Sequence, residues 1–243
     1  MSVLYDRIGR SYSATRGADP RIMAAIEDAH GDPPTVHNVG AGAGSYEPRD
    51  RRVTALEPSA VMRAQRPPGA APCIDGRAEA LPFPDRSFDA TMAILSDHHW
   101  SDRLGGLREL RRVGRRAVVF QYDPACAGSF WLARDHLPTF MAVQAAGHEE
   151  ARRALGATRE VVVPIPHDCR DGFLSAYWRR PEAYLDPAVR ANISVFSLLP
   201  EAEVDAMVAD LRADLASGAW ARRNAAILDA DALDLGYRLL IAG

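Results

Sequence analysis

A short apolar strand that runs straight into three closely spaced glycines limits this chain to a small set of folds. Residues 35–39 have the apolar character of a buried strand. The glycines that follow it directly are Gly40, Gly42 and Gly44. Since glycine has no Cβ, the backbone of such a turn can lie against a bound nucleotide. A second apolar strand over 52–56 ends at Glu57, whose carboxylate can accept hydrogen bonds from a ribose diol, as in nucleotide-binding α/β folds.

The spacing of these glycines distinguishes between classes of nucleotide. Dinucleotide-binding turns have the pattern G-x-G-x-x-G, which directs a helix N-terminus at a pyrophosphate. The pattern here is G-x-G-x-G, and Ser45 stands where the third glycine of that fingerprint falls. This spacing argues against NAD or FAD and suits a nucleoside without a phosphate, such as S-adenosylmethionine (SAM). A tight strand-to-helix turn that binds no ligand is the simpler alternative.

Short β-rich segments alternate with helical ones, which predicts an α/β fold with a mainly parallel sheet. The predicted strands are 35–39, 52–56, 71–74, 87–95, 116–122, 160–165 and 236–242. The clearest predicted helices are 21–29, 102–113, 171–184 and 201–216. The segment before the closing strand is too long for an ordinary connection. We therefore expect a single domain over 1–243, with a helical insertion or cap over about 167–230.

Charge and composition argue against several classes of protein. The formal net charge is −3, whereas nucleic-acid-binding domains usually carry a basic excess, so we expect no nucleic-acid partner. No run of about 18 apolar residues occurs, and we expect no membrane span. The first ten residues lack the apolar core of a secretory signal. The three cysteines lie far apart and outside metal-ligand spacing, so we expect a cytoplasmic protein with reduced thiols and no metal site.

A series of motifs in the first half of the chain occurs in a familiar order. The glycine turn is followed by Glu57-Pro58-Ser59 with Met62, and then by the segment 76–90, GRAEALPFPDRSFDA. The segment 96–100, SDHHW, and the helix over 102–113 come next. This series, over roughly 1–125, resembles the class I SAM-dependent methyltransferases, in the group that includes the ubiquinone and menaquinone biosynthesis methyltransferases. The resemblance implies a Rossmann-like, seven-stranded, mostly parallel sheet with helices on both faces, and SAM as the cofactor.

The resemblance also implies which residues contact the methionine part of the cofactor. The backbone of Gly40, Ala41 and Gly42 would run alongside the methionine part. Leu95 and Ser96 would line the floor of the site beside it. The first 30 residues resemble the lid segment of the family. Two lid residues are implied to close over the cofactor: Tyr12 and Arg16.

The adenosine part of the cofactor is implied to lie at the end of the second strand. Glu57 would bind the ribose hydroxyls, while Pro58 and Met62 would flank the adenine. Three further residues are implied at the adenine edge: Arg77, Ala78 and Glu79.

Two positions depart from the pattern of the family. Asn38 stands where an acidic residue is usual in this family, so its contact with the amino group of SAM would be weaker or water-mediated. Arg77 stands where an aspartate often accepts a hydrogen bond from the adenine amino group. Either Asp75 or backbone groups would therefore accept this hydrogen bond. Both departures affect the expected affinity for the cofactor more than its identity.

His98 and His99 are the best candidates for a catalytic base, because they follow the fourth predicted strand at the carboxyl edge of the sheet. Histidine titrates near neutral pH, which suits removal of a proton from a methyl acceptor. The alternative for either residue is a purely structural role, packed beneath the cofactor or hydrogen-bonded to the backbone.

The leading hypothesis is an enzyme that transfers a methyl group from SAM to an O, N or C atom of a small-molecule acceptor, by direct in-line displacement. A second hypothesis is a SAM-binding regulator, or a catalyst on the same fold that no longer methylates. A third is an RNA methyltransferase, and an NAD-linked oxidoreductase is the competitor at the level of the fold. The protein is expected to be a monomer or a homodimer.

Overall fold

A computed structural model of the protein describes residues 5–6, 9, 16–143 and 147–243. Its strands are β1 (Thr35–Val39), β2 (Arg52–Leu56), β3 (Cys73–Ile74), β4 (Phe88–Ile94), β5 (Gly114–Tyr122), β6 (Arg159–Val162), β7 (Ile165–Pro166), β8 (Ala232–Leu233) and β9 (Tyr237–Ala242). Its helices are α1 (Pro20–His30), α2 (Ala60–Arg63), α3 (Arg103–Val113), α4 (Trp131–His136), α5 (Pro138–Val143), α6 (His148–Leu155), α7 (Pro187–Ala191), α8 (Glu201–Ser217) and α9 (Ala219–Arg223). Within these residues, every helix is too short or too polar to span a lipid bilayer.

Seven of the strands form one sheet in the order β3-β2-β1-β4-β5-β9-β6. The pairs among β1 to β5 are parallel, and β9 runs antiparallel to both of its neighbours. This confirms the predicted seven-stranded, mostly parallel sheet. Because the carboxyl ends of parallel strands meet at one edge, the segments that follow β1, β2 and β4 lie close together there.

Alternate side chains of the central strands point into two separate cores, as the two-residue period of a strand requires. On β5, Val118 and Phe120 pack with α1 and much of the C-terminal third. Ala117 and Val119 pack on the opposite face with α3 and α6. Helices therefore cover both faces of the sheet, as expected for a parallel sheet buried on both sides.

The predicted helix over 171–184 is wrong. The structure has two short 3₁₀ turns instead, at Leu174–Tyr177 and Pro181–Leu185. Pro181 lacks an N–H and disfavours helical backbone angles in the residue before it, and Arg180 accordingly has φ −126° and ψ 62°. The predicted strand over 160–165 is also divided. Pro164 interrupts it, since β6 ends at Val162 and the next residues pair with β8 as the separate strand β7.

Two buried histidines make the stability of the fold depend on pH. Burial lowers the pKa of both His30 and His37 from 6.5 to about 4. The His37 ring is fully buried and stacks on Phe88, and its Nδ1–H donates to the Thr54 carbonyl at 2.8 Å. A proton added to either ring would therefore carry its charge into the core.

We expect the free energy of unfolding to fall as the pH is lowered from about 6.5 to 4. Over this range the unfolded chain takes up protons on these histidines while the folded chain does not, so stability falls as the pH falls. His37→Gln keeps a donor for Thr54 and should reduce the loss between pH 7 and 5 by about 1–2 kcal/mol. Urea unfolding of both proteins at the two pH values measures this difference. An unchanged loss in the variant would show that His37 does not take part.

Candidate functional site

The glycine turn after β1 lies directly against the segment after β4. The amides of Gly40 and Ala41 both donate to the Leu56 carbonyl, at 2.9 and 3.0 Å. Gly40 has φ +67°, and a Cβ added to it would lie 2.7 Å from Ser96 Oγ. Position 40 therefore has no room for a side chain, which keeps the backbone of the turn exposed to the cavity beside it.

Glu57 connects the end of β2 to this turn. Its carboxylate is buried, and its two oxygens accept from Ser59 N at 2.8 Å and from Gly42 N at 2.9 Å. Burial raises the pKa of Glu57, while these two hydrogen bonds act in the opposite direction. A carboxylate has about four acceptor sites, so each oxygen can accept one more hydrogen bond. The geometry suits recognition of two neighbouring hydroxyl groups.

A cavity, called here the first cavity, opens beside the glycine turn and Glu57. It is lined by Tyr5, Arg16, Asn38, Gly40, Ala41, Gly42, Ala43, Ser45, Tyr46, Glu57, Pro58, Met62, Ile94, Leu95, Ser96, His99, Trp100 and Asp171. The structure thus brings together most of the residues implied for the cofactor. The combination of a glycine turn, a buried carboxylate and a narrow cavity fits an adenosine-containing ligand.

Four of the implied cofactor residues are placed elsewhere or are not described. Tyr12 lies outside the described residues. Arg77 is exposed, and Ala78 is buried in the core that contains α3. Glu79 accepts from Ser101 Oγ at 2.7 Å and from Asp102 N at 3.1 Å. Arg77, Ala78 and Glu79 are not among the described residues that line the first cavity, and their contact with adenine stays a prediction.

The Asn38 side chain, which departs from the acidic residue usual in the family, has a clear local role. Its Nδ2 donates to Glu47 Oε1 at 3.0 Å. Glu47 in turn accepts from Arg66 at 2.9 and 2.7 Å in a buried ion pair. The negative charge next to Asn38 is therefore neutralised by Arg66.

A second carboxylate enters the first cavity from the C-terminal third of the chain. The side chain of Asp171 is 1% exposed and accepts from Arg16 Nε at 2.5 Å and from Arg16 Nη2 at 3.3 Å. It also accepts from the Tyr46 hydroxyl at 3.0 Å. Arg16 was predicted from the sequence, whereas Asp171 and Tyr46 were not. No local pattern marks them, because Asp171 reaches the cavity through packing between residues 125 positions apart.

A larger cavity of about 310 Å³, called here the second cavity, adjoins the first. The two share four lining residues: Tyr5, Arg16, Leu95 and His99. The rest of its lining consists of Asp97, His98, Arg103, Gln121, Tyr122, Pro124, Phe140, Phe173, Leu174, Ile193, Ser194, Val195, Leu198 and Tyr237. Its polar side chains come largely from the segment after β4 and from the end of β5, and most of its apolar ones lie between residues 173 and 198.

Leu95, where the two cavities meet, has a left-handed backbone with φ +49°. Such a conformation is uncommon for a residue other than glycine, and it costs about 1 kcal/mol or more. Its amide donates to the Phe120 carbonyl at 2.8 Å, and the next residue, Ser96, donates from Oγ to the Val39 carbonyl at 3.1 Å. These bonds hold the strained turn in place between the two cavities.

The two candidate bases differ sharply in environment. The His98 side chain is 46% exposed and lines the second cavity, but it is not among the described lining of the first. His99 lines both cavities and shares a hydrogen bond of 3.1 Å with the Tyr5 hydroxyl through Nε2. Burial, followed by the neighbouring His98, lowers the pKa of His99 well below its usual value. His99 is thus neutral at pH 7 and a weak base, whereas His98 faces only the second cavity.

A buried carboxylate lies behind His98. The Asp97 side chain is fully buried, and its Oδ2 accepts from Arg103 Nε at 2.8 Å. Its other oxygen, Oδ1, lies 3.8 Å from His98 Nδ1. The arrangement places a negative charge beside one ring nitrogen of His98. In the residues that the structure describes, no group of three or more metal-ligating side chains is clustered.

Comparison with known proteins agrees with this geometry. A family profile described as "Methyltransferase domain" matches residues 37–120. A solved structure from Anabaena variabilis, described as a putative methyltransferase from an antibiotic biosynthesis pathway, is 33% identical with a TM-score of 0.86. The similarity covers 94% of this chain and 99% of that one.

Two further similarities are more distant. The demethylmenaquinone methyltransferase of Deinococcus radiodurans is 29% identical over 141 residues, which are 52% of this chain and 58% of that protein. The [4+2]-cyclase SpnF is 17% identical with a TM-score of 0.56, over 98% of this chain and 92% of that one, and it supports the fold alone. The chain spans between about a fifth and 58% of the lengths of the curated relatives it matches.

Proposed function

This chain belongs to the class I SAM-dependent methyltransferases, and we propose that it methylates an O, N or C atom of a small molecule held in the second cavity. The observation that carries the proposal is the shared boundary of the two cavities at Leu95 and His99. A methyl donor in the first cavity and an acceptor in the second would meet at that boundary. The names of two relatives, which refer to antibiotic biosynthesis and to demethylmenaquinone, support a small-molecule acceptor.

The proposed roles of the residues follow from the first cavity. Glu57 accepts hydrogen bonds from the ribose hydroxyls, and Pro58 and Met62 pack beside the adenine. Gly40, Ala41 and Gly42 allow the methionine part to pass close to the backbone. When bound, the cofactor supplies a methyl group on a sulfonium, and the sulfur leaves as a neutral thioether when the acceptor's lone pair bonds to the methyl carbon.

The main contribution of the protein to this reaction is orientation. Holding the acceptor atom in line with the methyl group can supply several kcal/mol without any acid or base. The turn at Leu95 is suited to this role, because the Leu95 amide and the Ser96 hydroxyl each donate to a backbone carbonyl and fix it between the cavities. Where the acceptor carries a proton on the reacting atom, His98 would take it up, with Asp97 stabilising the charge that forms on the ring.

We propose that residues 167–230 act as the cap over the acceptor, since Phe173, Leu174, Ile193, Val195 and Leu198 supply most of the apolar wall of the second cavity. Such a wall suits a largely apolar molecule of moderate size better than an RNA chain. A cytoplasmic location is part of the same proposal.

Methyl transfer can be tested with SAM that carries a deuterated methyl group. We expect mass spectrometry to find the CD₃ label in at least one low-molecular-mass compound after incubation with a bacterial small-molecule extract. A parallel incubation with RNA should give no labelled nucleoside. Label only in the RNA would contradict the proposed acceptor class. Binding of S-adenosylhomocysteine (SAH) with no label in either fraction would favour the alternative of a SAM-binding protein that does not methylate.

A further inference from the structure

We infer that Arg16 and Asp171 together recognise the amino-acid end of the cofactor, with Arg16 contacting its carboxylate and Asp171 its ammonium group. The inference rests on the proposed function and adds to it a residue from the C-terminal third of the chain. The ligand class it defines is an adenosine thioether or sulfonium that carries an α-amino-acid zwitterion.

The first cavity is lined by ionised side chains of both signs. Among the described residues that line it, the ionised side chains are Arg16, Glu57 and Asp171. Glu57 is held at the end of β2 by Gly42 N and Ser59 N, where it suits the ribose. Arg16 and Asp171 are therefore the described lining groups of opposite charge that remain for a zwitterion.

Asn38 stands in the first cavity at a position where the family usually has an acidic residue. The Asn38 amide is neutral and is engaged with Glu47, whose own charge is balanced by Arg66. Neither Glu47 nor Arg66 is among the described residues that line the first cavity, so an ammonium group next to Asn38 would meet no carboxylate from this cluster there. Asp171 supplies a buried carboxylate in the same cavity and can replace the missing charge.

The ion pair of Arg16 and Asp171 offers one charge of each sign, which matches the two charges of a zwitterion. Asp171 and Arg16 already pair with each other at 2.5 Å with little exposure to solvent. A ligand with only one charge would leave one of these partly buried groups uncompensated, which is costly. A ligand with one charge of each sign satisfies both groups and leaves the net charge of the cavity unchanged. The pair therefore selects for a zwitterion.

The Asp171 carboxylate is also fixed in direction, which a recognition group requires. Tyr46 donates to it at 3.0 Å, and the preceding residue is anchored because Arg170 N donates to Asp19 Oδ2 at 3.0 Å. A second contact between the two segments is the ion pair of Arg21 and Asp168 at 2.7 Å. The segment 168–171 is thus docked on residues 16–21.

The test compares two ligands that differ only in the amino-acid part. SAH carries the zwitterion, and 5′-methylthioadenosine keeps the adenosine and the sulfur but lacks it. We expect Asp171→Asn to weaken binding of SAH by about 10–100-fold in calorimetry, because a charged hydrogen bond of about 1.5–3 kcal/mol is lost. Its affinity for 5′-methylthioadenosine should stay within about threefold. Asp214→Asn is the matched control, because Asp214 also pairs with an arginine, Arg223, but is not among the described residues that line either cavity. This substitution should leave both affinities unchanged.

Each outcome of this experiment is decisive. Wild-type protein that binds neither ligand overturns the proposed function together with this inference. Wild-type protein that binds SAH, with Asp171→Asn binding it equally well, overturns the inference alone. An equal loss for both ligands would show that Asp171 only supports the fold, which also overturns it. If Asp171→Asn does not fold, Arg16→Gln should show the same selective loss for SAH.

Discussion

Glu57→Gln is expected to weaken binding of SAH by 100-fold or more. Both carboxylate oxygens of Glu57 accept a backbone N–H, from Ser59 and from Gly42. Whichever way the new amide is turned, its NH₂ group faces one of these N–H groups, so one hydrogen bond becomes a repulsion. The same substitution removes half of the acceptor capacity offered to the ribose. Hydrogen bonds to a charged group contribute about 1.5–3 kcal/mol each, so the loss of two corresponds to 100-fold or more.

Glu109→Gln is the matched control for this substitution. Glu109 also accepts a backbone N–H, from Leu81 at 3.0 Å, and it pairs with Arg112 on α3. It is not among the described residues that line either cavity. Calorimetry with SAH should therefore give a wild-type affinity for Glu109→Gln, and thermal unfolding of both variants separates binding from stability. An unchanged affinity in Glu57→Gln would show that the carboxylate does not hold the ribose.

Local sequence patterns were sufficient to predict the sheet and one side of the first cavity. The glycine turn and Glu57 each lie at the end of a buried strand, and the topology of a parallel sheet brings those ends together. The helix α1 was equally predictable, because Pro20 follows the N-cap residue Asp19, which accepts from Arg21 N. In each of these cases neighbours in sequence determine the structure.

The rest of the site depends on contacts that sequence patterns do not record. Asp171 and Tyr46 reach the first cavity because the segment 168–171 docks on residues 16–21, which is a tertiary contact. The helix predicted over 171–184 was wrong for a local reason instead, because Pro181 interrupts it. In the structure Phe173 and Tyr184 are buried in the core on either side of the break at Arg180 and Pro181.

The roles of His98 and His99 in the proposed reaction could not be told apart from the sequence alone. Adjacent histidines after a strand give no sign of which one faces a substrate. The structure separates them, because His99 is bonded to Tyr5 and has a lowered pKa, while His98 is half-exposed in the second cavity with Asp97 behind it. We therefore propose His98 as the base and a positioning role between the two cavities for His99.

His98→Asn is expected to lower kcat for methyl transfer by about 100-fold or more with an acceptor that loses a proton, because general bases typically contribute 10²–10⁴. The affinity for SAH should stay within about twofold, since His98 is not part of the described lining of the first cavity. His99→Asn should instead weaken SAH binding, because His99 lines that cavity and bonds to Tyr5. Transfer of the labelled methyl group measures kcat, and calorimetry measures the affinity.

A second substitution tests whether Asp97 acts through His98. Asp97→Asn alone should lower kcat, whereas the same change in the His98→Asn background should have little further effect, because groups that act as a unit are not additive. Independent losses in the double variant would show that Asp97 serves Arg103 and the fold rather than the histidine. An undiminished kcat in His98→Asn would contradict a base at this position. The reaction would then depend on orientation across the boundary at Leu95, as expected for an acceptor atom that already carries a free lone pair.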